Sequence, residues 1–338
     1  MANITRREFS RASLAGAAAI AASRVDGGAA AQTNGANAYR YVHLDVFTDR
    51  RLQGNQLFVF VQPTGLDTDA MQTLTRESNL SECTFVFPPE QAGTDHRVRT
   101  FTRTAETPFA GHPTIGTAFA LAHTGVIKGG APRTVFGLGV GPTNVDLEWK
   151  DGRLAFAWMT QLKPTFGKAV ADGAAVAAAL GLEAAASAAR TGVPAGQEVN
   201  CGSNFFIVPL ATRKAVDAAV LDRAKVDAMF AAAGIQRRGI YVFSTERGGD
   251  DATAYSRLLG TGGIEDPATG SAAGPAGSFA AKYGLAPSGA DGSIVFLQGV
   301  LVKRPSRLHV RTGATGGEIT SVKVGGAAVV VGEGTMGT

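Results

Sequence analysis

Apolar positions along this chain come in short runs whose period changes from element to element. "YVHLDVFT" from Tyr41 and "QLFVFVQ" up to Gln62 are β-rich runs parted by Gly54-Asn55, which predicts two strands and a turn. "DTDAMQTLTRESN" reads as a helix with Asp67 or Thr68 as N-cap. "CTFVFPP" reads as a strand closed by prolines. In "DHRVRTFTRT", Val98 and Thr100 alternate with Arg97, Arg99 and Phe101, the pattern of a half-exposed strand. "GHPTIGTAFALAHTG" is apolar almost all round, which marks a buried helix. Strands are expected near Thr134–Phe136, Val145–Trp149 and Leu154–Trp158.

After Gln161-Leu162-Lys163-Pro164 the grammar restarts. An Ala-rich helix is expected over about 172–181, a strand at "NFFIVPL", and one long helix from about Arg213 to Ala232. "GIYVFST" and "ATAYSRLL" follow as strands, "GSAAGPAGSFAAKYG" as a second buried helix, and "SIVFLQG", "RLHVRTG", "ITSVKVG" and "AAVVVG" as closing strands. Setting "ETPFAGHP" (106–113) over "EDPATGSA" (265–272) aligns Glu106 with Glu265, Pro108 with Pro267 and Gly111 with Gly270 at a constant offset of 159 residues. Each motif ends a strand-rich stretch and opens a small-residue helix. The expectation is an α+β fold of two similar lobes, 38–160 and 161–334, each a curled, mostly antiparallel sheet around one buried helix.

Composition narrows the class. The 338 residues are 45% hydrophobic and 18% charged, which is globular and large enough for two lobes. The net charge is +4, with Lys and Arg scattered and no aromatic residues interleaved among them, so nucleic acid is not an expected partner. Residues 1–31 carry Arg6-Arg7, Phe9, an apolar run from Ala12 to Ala22 and Ala29-Ala30-Ala31, the pattern of a twin-arginine-type export signal with a cleavage site. Its removal would lower the net charge to +2 and place the protein in the periplasm or outside the cell; if the signal is unused, the chain stays cytoplasmic. The apolar run is too short to span a membrane, and none is expected as a partner after processing. Cys83 and Cys201 are not spaced as a redox or zinc motif, and their separation leaves a disulfide open. A two-fold homodimer is the default oligomer.

The candidate chemistry lies at the two helix mouths. The first N–H groups of a helix lack partners within it and bind anions. Two mouths facing across a cleft suit a small carboxylate, with Gly111 and Gly270 letting it approach the backbone. Beside them stand His112, Asp266 and Ser271, and Glu82 in "NLSECTFV" at a strand start. A carboxyl enclosed between lobes has its pKa raised and becomes a usable acid and base near neutrality. Each residue also has a plainer reading: His112 filling a turn, Asp266 capping a helix, Ser271 bonding back into the first turn, Glu82 a solvated strand end. Glu265 is expected to face outward or stabilise the turn while Asp266 points in.

"DVFT…GN", "ESNLSECTFVF", "FAGHPTIGTAFAL", "EDPATGSAAGP" and "LQGVLVKRPSRLHV" resemble the motifs of the phenazine-biosynthesis PhzF-like isomerase family, from about Tyr41 to Gly334. The resemblance implies a diaminopimelate epimerase-like fold, with the site between two pseudo-symmetric lobes. It implies that Glu82 is the general acid/base moving a proton between substrate carbons, assisted by His112, Asp266 and Ser271. Gly111 and Gly270 would offer amides to the substrate carboxylate, and Ser81 and Asn55, which stand in two of the motifs, complete the expected binding set. No metal or cofactor is implied. The family's best-known reaction isomerises trans-2,3-dihydro-3-hydroxyanthranilate. This chain departs from the usual pattern at Gln56, where proline is usual, at Cys83, where Thr or Ser is usual, and between Arg257 and Glu265, where a Phe-x-Pro is missing. These departures leave the substrate open. Two other readings stay open beside isomerisation: a cofactor-independent amino-acid racemase or epimerase, and an exported small-acid binding protein without turnover.

Overall fold

The computed structural model describes residues 38–260, 265–285 and 293–338; the expected export signal lies outside the described residues. The first lobe runs β1 (Ala38–Val46), β2 (Asn55–Val61), α1 (Thr68–Ser78), β3 (Glu82–Phe87), β4 (His96–Thr102), β5 (Glu106–Thr107), α2 (His112–His123), β6 (Arg133–Leu138), β7 (Gly141–Lys150) and β8 (Arg153–Gln161). The second runs β9 (Thr165–Val170), α3 (Gly173–Ala179), β10 (Gly196–Asn200), β11 (Asn204–Pro209), α4 (Arg213–Ala218), α5 (Arg223–Ala233), β12 (Ile240–Ser244), β13 (Ala254–Leu259), α6 (Gly270–Lys282), β14 (Ser293–Gln298), β15 (Ser306–Thr315) and β16 (Glu318–Gly326). A last strand, β17 (Ala328–Gly337), follows.

The pseudo-symmetry goes beyond three matched residues. In the first lobe β1–β2 is antiparallel, β2–β3 parallel, β3–β4 antiparallel, β4–β6 parallel, and β6–β7 and β7–β8 antiparallel. In the second, β10–β11, β11–β12, β12–β13, β13–β14, β14–β15 and β15–β16 repeat the same sequence of senses. Each parallel step requires a crossover, and helices fill both crossovers of each lobe. The second crossover of each lobe is the apolar helix, α2 or α6. Its surroundings explain its composition: α2 packs on β1, β2, β3 and β8, and α6 on β10, β11, β12, β15 and β16. A helix enclosed by a curled sheet has no solvent face and little room for bulk. A Cβ added at Gly277 of α6 would fall 2.5 Å from Val310 Cγ1. The lobes join where β8 pairs with β16, and β17 pairs with β1, so the chain's last strand sits on the edge of its first lobe.

One apolar core runs through both enclosures, from Leu44, Leu57, Ile115 and Leu121 to Phe279, Phe296 and Val310. Two satellite cores lie on the sheet's outer face. One sits under α1, with Met71 and Leu74 on Phe60, Phe85 and Phe101; the other lies under α3, α4 and α5, with Val176, Val216 and Phe230 on Phe206 and Val208.

These outer helices account for two departures from the sequence reading. Phe101, expected on the wet side of β4, is buried because α1 covers that face. The expected single helix over Arg213–Ala232 is two, broken at Ala219–Asp222. Thr212 caps the first through the Ala215 N–H, and Asp222 caps the second through the Lys225 N–H, so a second N-terminal signal interrupts the apolar period. Strands β9 and β10 have no expected counterpart; "GQEVN" has too few apolar residues to read as a strand. Cys83 and Cys201 are buried free thiols. Among the described residues no helix is long and apolar enough to cross a membrane.

Candidate active site

Four of the six described helices begin with a side-chain cap: Asp67, Asp172, Thr212 and Asp222 each accept from a first-turn N–H. The two central helices do not. Neither Gly111, before α2, nor Thr269, before α6, makes a capping bond through a side chain. Their mouths meet directly. A Cβ on Gly111 would lie 2.4 Å from the Ser271 backbone nitrogen, and one on Gly270 would lie 3.1 Å from Gly111 Cα and 2.9 Å from the Phe47 ring. The two glycines therefore serve a direct contact between helix ends, which leaves no gap between them for the ligand that the sequence pattern placed there. Two positive helix ends share one spot, which favours an anion there.

The motifs before the mouths are also matched. Arg99 on β4 donates from Nε and Nη2 to Glu106 at 2.8 and 2.6 Å. Arg257 on β13 does the same to Glu265 at 3.0 and 2.8 Å, and its Nη1 donates to the carbonyls of Val216, Asp217 and Ala219. Glu265 thus stabilises the turn and does not face outward, which frees Asp266 to point inward.

Glu82 is the first residue of β3, and strand alternation sends it and Thr84 toward α2, where Thr84 bonds Thr117 at 2.9 Å. One Glu82 carboxyl oxygen lies 3.4 Å from His112 Nδ1; the His112 side chain is 4% exposed and that of Glu82 19%, so the acid is enclosed yet reachable. Asn55, at the start of β2, donates from Nδ2 to Asp266 Oδ1 at 2.6 Å and to the Ala268 carbonyl at 2.9 Å, and lies 3.2 Å from His112 Nδ1. Thr269 donates its hydroxyl to Asp266 Oδ2 at 2.7 Å. Glu82, His112, Asp266 and Asn55 therefore form one cluster at the joined mouths, with Gly111, Gly270 and half-buried Ser271 at its edge. Ser81 does not belong to it: its side chain is exposed and no hydrogen bond ties it to the others. Ser271's hydroxyl makes no hydrogen bond back into its own helix.

Burial sets the charges. It raises the Glu82 carboxyl to about 8, with the nearby Asp266 charge adding to the rise. It raises Asp266 to about 6, against the opposing pull of donors from Thr269, Asn55 and the Ala268 backbone. It lowers His112 to about 3, against a smaller opposite effect of the Gln56 backbone, so the ring is neutral. His112 Nδ1 lies between Asn55 Nδ2 and the Glu82 carboxyl, while Nε2 is buried without a hydrogen-bond partner; with both Asn55 hydrogens turned to oxygens, Nδ1 is assigned as the acceptor and Nε2 as an unpaired N–H. Two carboxyls with separated pKa values are an arrangement suited to proton transfer near neutrality. Among the described residues no group of three or more His, Cys, Asp or Glu is placed to hold a metal ion.

The loop before Asn55 is held firmly. Asp45, 1% exposed, pairs with Arg304, accepts from the Leu52 N–H at 2.6 Å, and Arg304 also donates to the carbonyls of Gly54 and Gln53 at 2.7 and 2.8 Å. Phe47 has a left-handed backbone, φ 64°, fixed by bonds to Ala327 and Arg307. Phe47, Thr269 and Gln298 also stand at the site; they lie within "DVFT", "EDPATGSA" and "LQG", and nothing in those motifs marks them as site residues. Two of the departures that left the substrate open do not line the cluster: Cys83 points the opposite way from Glu82, its Sγ 3.2 Å from Ser78 Oγ, and Gln56 alternates away from α2.

The model of the phenazine biosynthesis-like protein family matches residues 44–334. The chain belongs to that family. An uncharacterized isomerase of Mesorhizobium japonicum is 36% identical, covering 88% of this chain and 98% of its own. Trans-2,3-dihydro-3-hydroxyanthranilate isomerase of Pseudomonas aeruginosa is 35% identical over the same shares. A solved Pseudomonas aeruginosa structure described as a predicted epimerase is 31% identical, with a TM-score of 0.72 over 88% of this chain and 99% of that one. This PhzF-like protein is an isomerase, with the two-lobed fold that its motifs implied.

Proposed function

We propose that this PhzF-like isomerase acts on a small carboxylic acid, with Glu82 giving a proton to one substrate carbon and taking one from another. The observation that carries the reading is a carboxyl enclosed beside two uncapped helix mouths and 3.4 Å from His112, where burial pushes it up toward neutrality. The mouths and the Ser271 amide hold the substrate carboxylate. Glu82 starts protonated, delivers its proton to one carbon and recovers the proton that another carbon loses, so the enzyme ends as it began. Ionised Asp266 keeps Glu82 protonated, and neutral His112 faces the acid without competing for its proton.

The test is turnover of trans-2,3-dihydro-3-hydroxyanthranilate, the substrate named for the Pseudomonas aeruginosa relative, and of related unsaturated acids in deuterated water, followed by proton NMR. A moved double bond with deuterium at the carbon that gains the proton is expected for the wild type, and conversion slower by about 10²–10⁴-fold for Glu82→Gln. A second reading, epimerisation, is favoured by the second carboxyl, Asp266, in the same enclosure, and by the relative described as a predicted epimerase. Deuterium entering a carbon with inverted configuration and no moved double bond would select it. Tight binding that survives Glu82→Gln, with no conversion of any acid by the wild type, would leave a binding protein.

A further inference from the structure

We propose that Gln298 and Thr269 are positioning residues that decide which site carboxyl holds the proton: the direction of their hydrogen bonds keeps Asp266 as the anion and leaves the proton to Glu82. This deepens the reading of Glu82 as proton carrier and rests on it. Gln298 ends β14 and is fully buried. Its Oε1 accepts from the Thr269 N–H at 3.1 Å and lies 3.1 Å from the Tyr241 hydroxyl, whose single hydrogen is shared with Ser256 Oγ at 2.8 Å. Its Nε2 donates to the Asp266 carbonyl at 2.9 Å and to Thr269 Oγ1 at 3.0 Å. A flipped amide would set donor against donor at Thr269 N and acceptor against acceptor at the Asp266 carbonyl, so these two backbone partners fix its orientation.

The consequence passes along the chain of bonds. Because Thr269 Oγ1 accepts from Gln298, its own hydrogen is free to donate, and it points to Asp266 Oδ2 at 2.7 Å. Asn55 supplies a donor to Oδ1 at 2.6 Å. Both oxygens of Asp266 thus face donors, and a proton on either would break a bond. Glu82 instead faces His112 Nδ1 at 3.4 Å, an acceptor in the tautomer assigned to the ring. The other charged or titratable neighbours do not reverse this order. Glu265 is paired with Arg257, His112 is neutral, and Tyr241 sits below Gln298 with its hydroxyl turned to Ser256 and Gln298. Glu82 is pushed above Asp266, about 8 against about 6, in the same sense.

The test reads protons directly and needs no substrate: carboxyl carbon-13 NMR titration of the full chain, labelled at Asp and Glu. In the wild type at pH 7, Asp266 is expected ionised and Glu82 protonated. Thr269→Val removes a hydrogen bond to a charged group and should raise the Asp266 midpoint by about 1–2 pH units. Thr269→Ser keeps the hydroxyl and should restore the wild-type midpoint. Gln298→Leu frees that hydroxyl to turn away and should shift Asp266 in the same direction by less. The low-pH limb of kcat/KM should move with the Asp266 midpoint, a change that mere loosening of the fold would not produce. Glu82 titrating below Asp266 in the wild type overturns the proposal, and that measurement needs no variant to fold. So does a folded Thr269→Val with an unmoved Asp266 midpoint. The expected order in a chain that turns over no acid would remove the isomerase site and leave this inference standing; turnover with the order reversed would remove this inference and the starting protonation given to Glu82, and leave the isomerase activity standing.

Discussion

Glu82→Gln should cut activity by orders of magnitude and yet stabilise the protein at alkaline pH. Glutamine keeps the size of the side chain and loses only its ability to ionise. The Glu82 carboxyl is raised from an ordinary 4.5 to about 8, chiefly by burial. Between those two values the folded chain holds a proton that the unfolded chain has released, so stability falls as pH rises across the window. Each unit corresponds to about 1.4 kcal/mol, which makes the penalty about 3–5 kcal/mol once pH exceeds 8. Glutamine never ionises and escapes that penalty. Urea unfolding of the wild type and Glu82→Gln at pH 5 and pH 9 is the assay. The two should agree to within about 1 kcal/mol at pH 5, and the variant should exceed the wild type by about 3–5 kcal/mol at pH 9. An equal difference at both pH values, or a variant less stable at pH 9, would refute the argument. The same substitution should lower kcat by about 10²–10⁴-fold, or roughly 3–5 kcal/mol of barrier. A functional group held in a destabilised state is a familiar exchange of stability for activity.

Other consequences follow from the same geometry. The competent form has Glu82 protonated and Asp266 ionised, so kcat/KM should be highest between about pH 6 and 8; it should fall below that range as Asp266 gains a proton and above it as Glu82 loses one, as initial rates across pH will show. Gly111→Ala sets a methyl group 2.4 Å from the Ser271 nitrogen and must part the helix mouths; a loss of about 1–3 kcal/mol in urea unfolding and of most activity is expected. Arg304→Met leaves the buried Asp45 carboxylate without its partner; urea unfolding should show a loss of about 3–5 kcal/mol.

Much of the architecture was legible because each apolar helix and strand satisfies its own periodicity. The 159-residue offset between "ETPFAGHP" and "EDPATGSA" pointed to two lobes, and the repeated order of strand senses makes that symmetry physical. What local pattern could not show was contact across the sheet. Phe101 looked solvent-facing because nothing in "DHRVRTFTRT" reports that α1 lies over it. The broken helix was hidden because Asp222 reads as one polar residue in a helical period until it is seen to cap. In the site, Glu82, His112, Asp266 and Asn55 were visible as motif residues and converge. Ser81 does not, because its side chain stays on the surface beside the strand start. Gly111 and Gly270 were singled out with an incomplete reason: their lack of a side chain brings two helix ends together before it admits any ligand. Gln298 and Thr269 act through other groups, and such a role has no local signature.

A crystal structure of Glu82→Gln soaked with trans-2,3-dihydro-3-hydroxyanthranilate tests the central claim most directly. The account predicts the carboxylate against the joined mouths of α2 and α6 at Ser271, with ring carbons about 3–3.5 Å from the residue 82 side chain. The acid lodged elsewhere, or bound at the mouths with its carbons out of reach of residue 82, would contradict it.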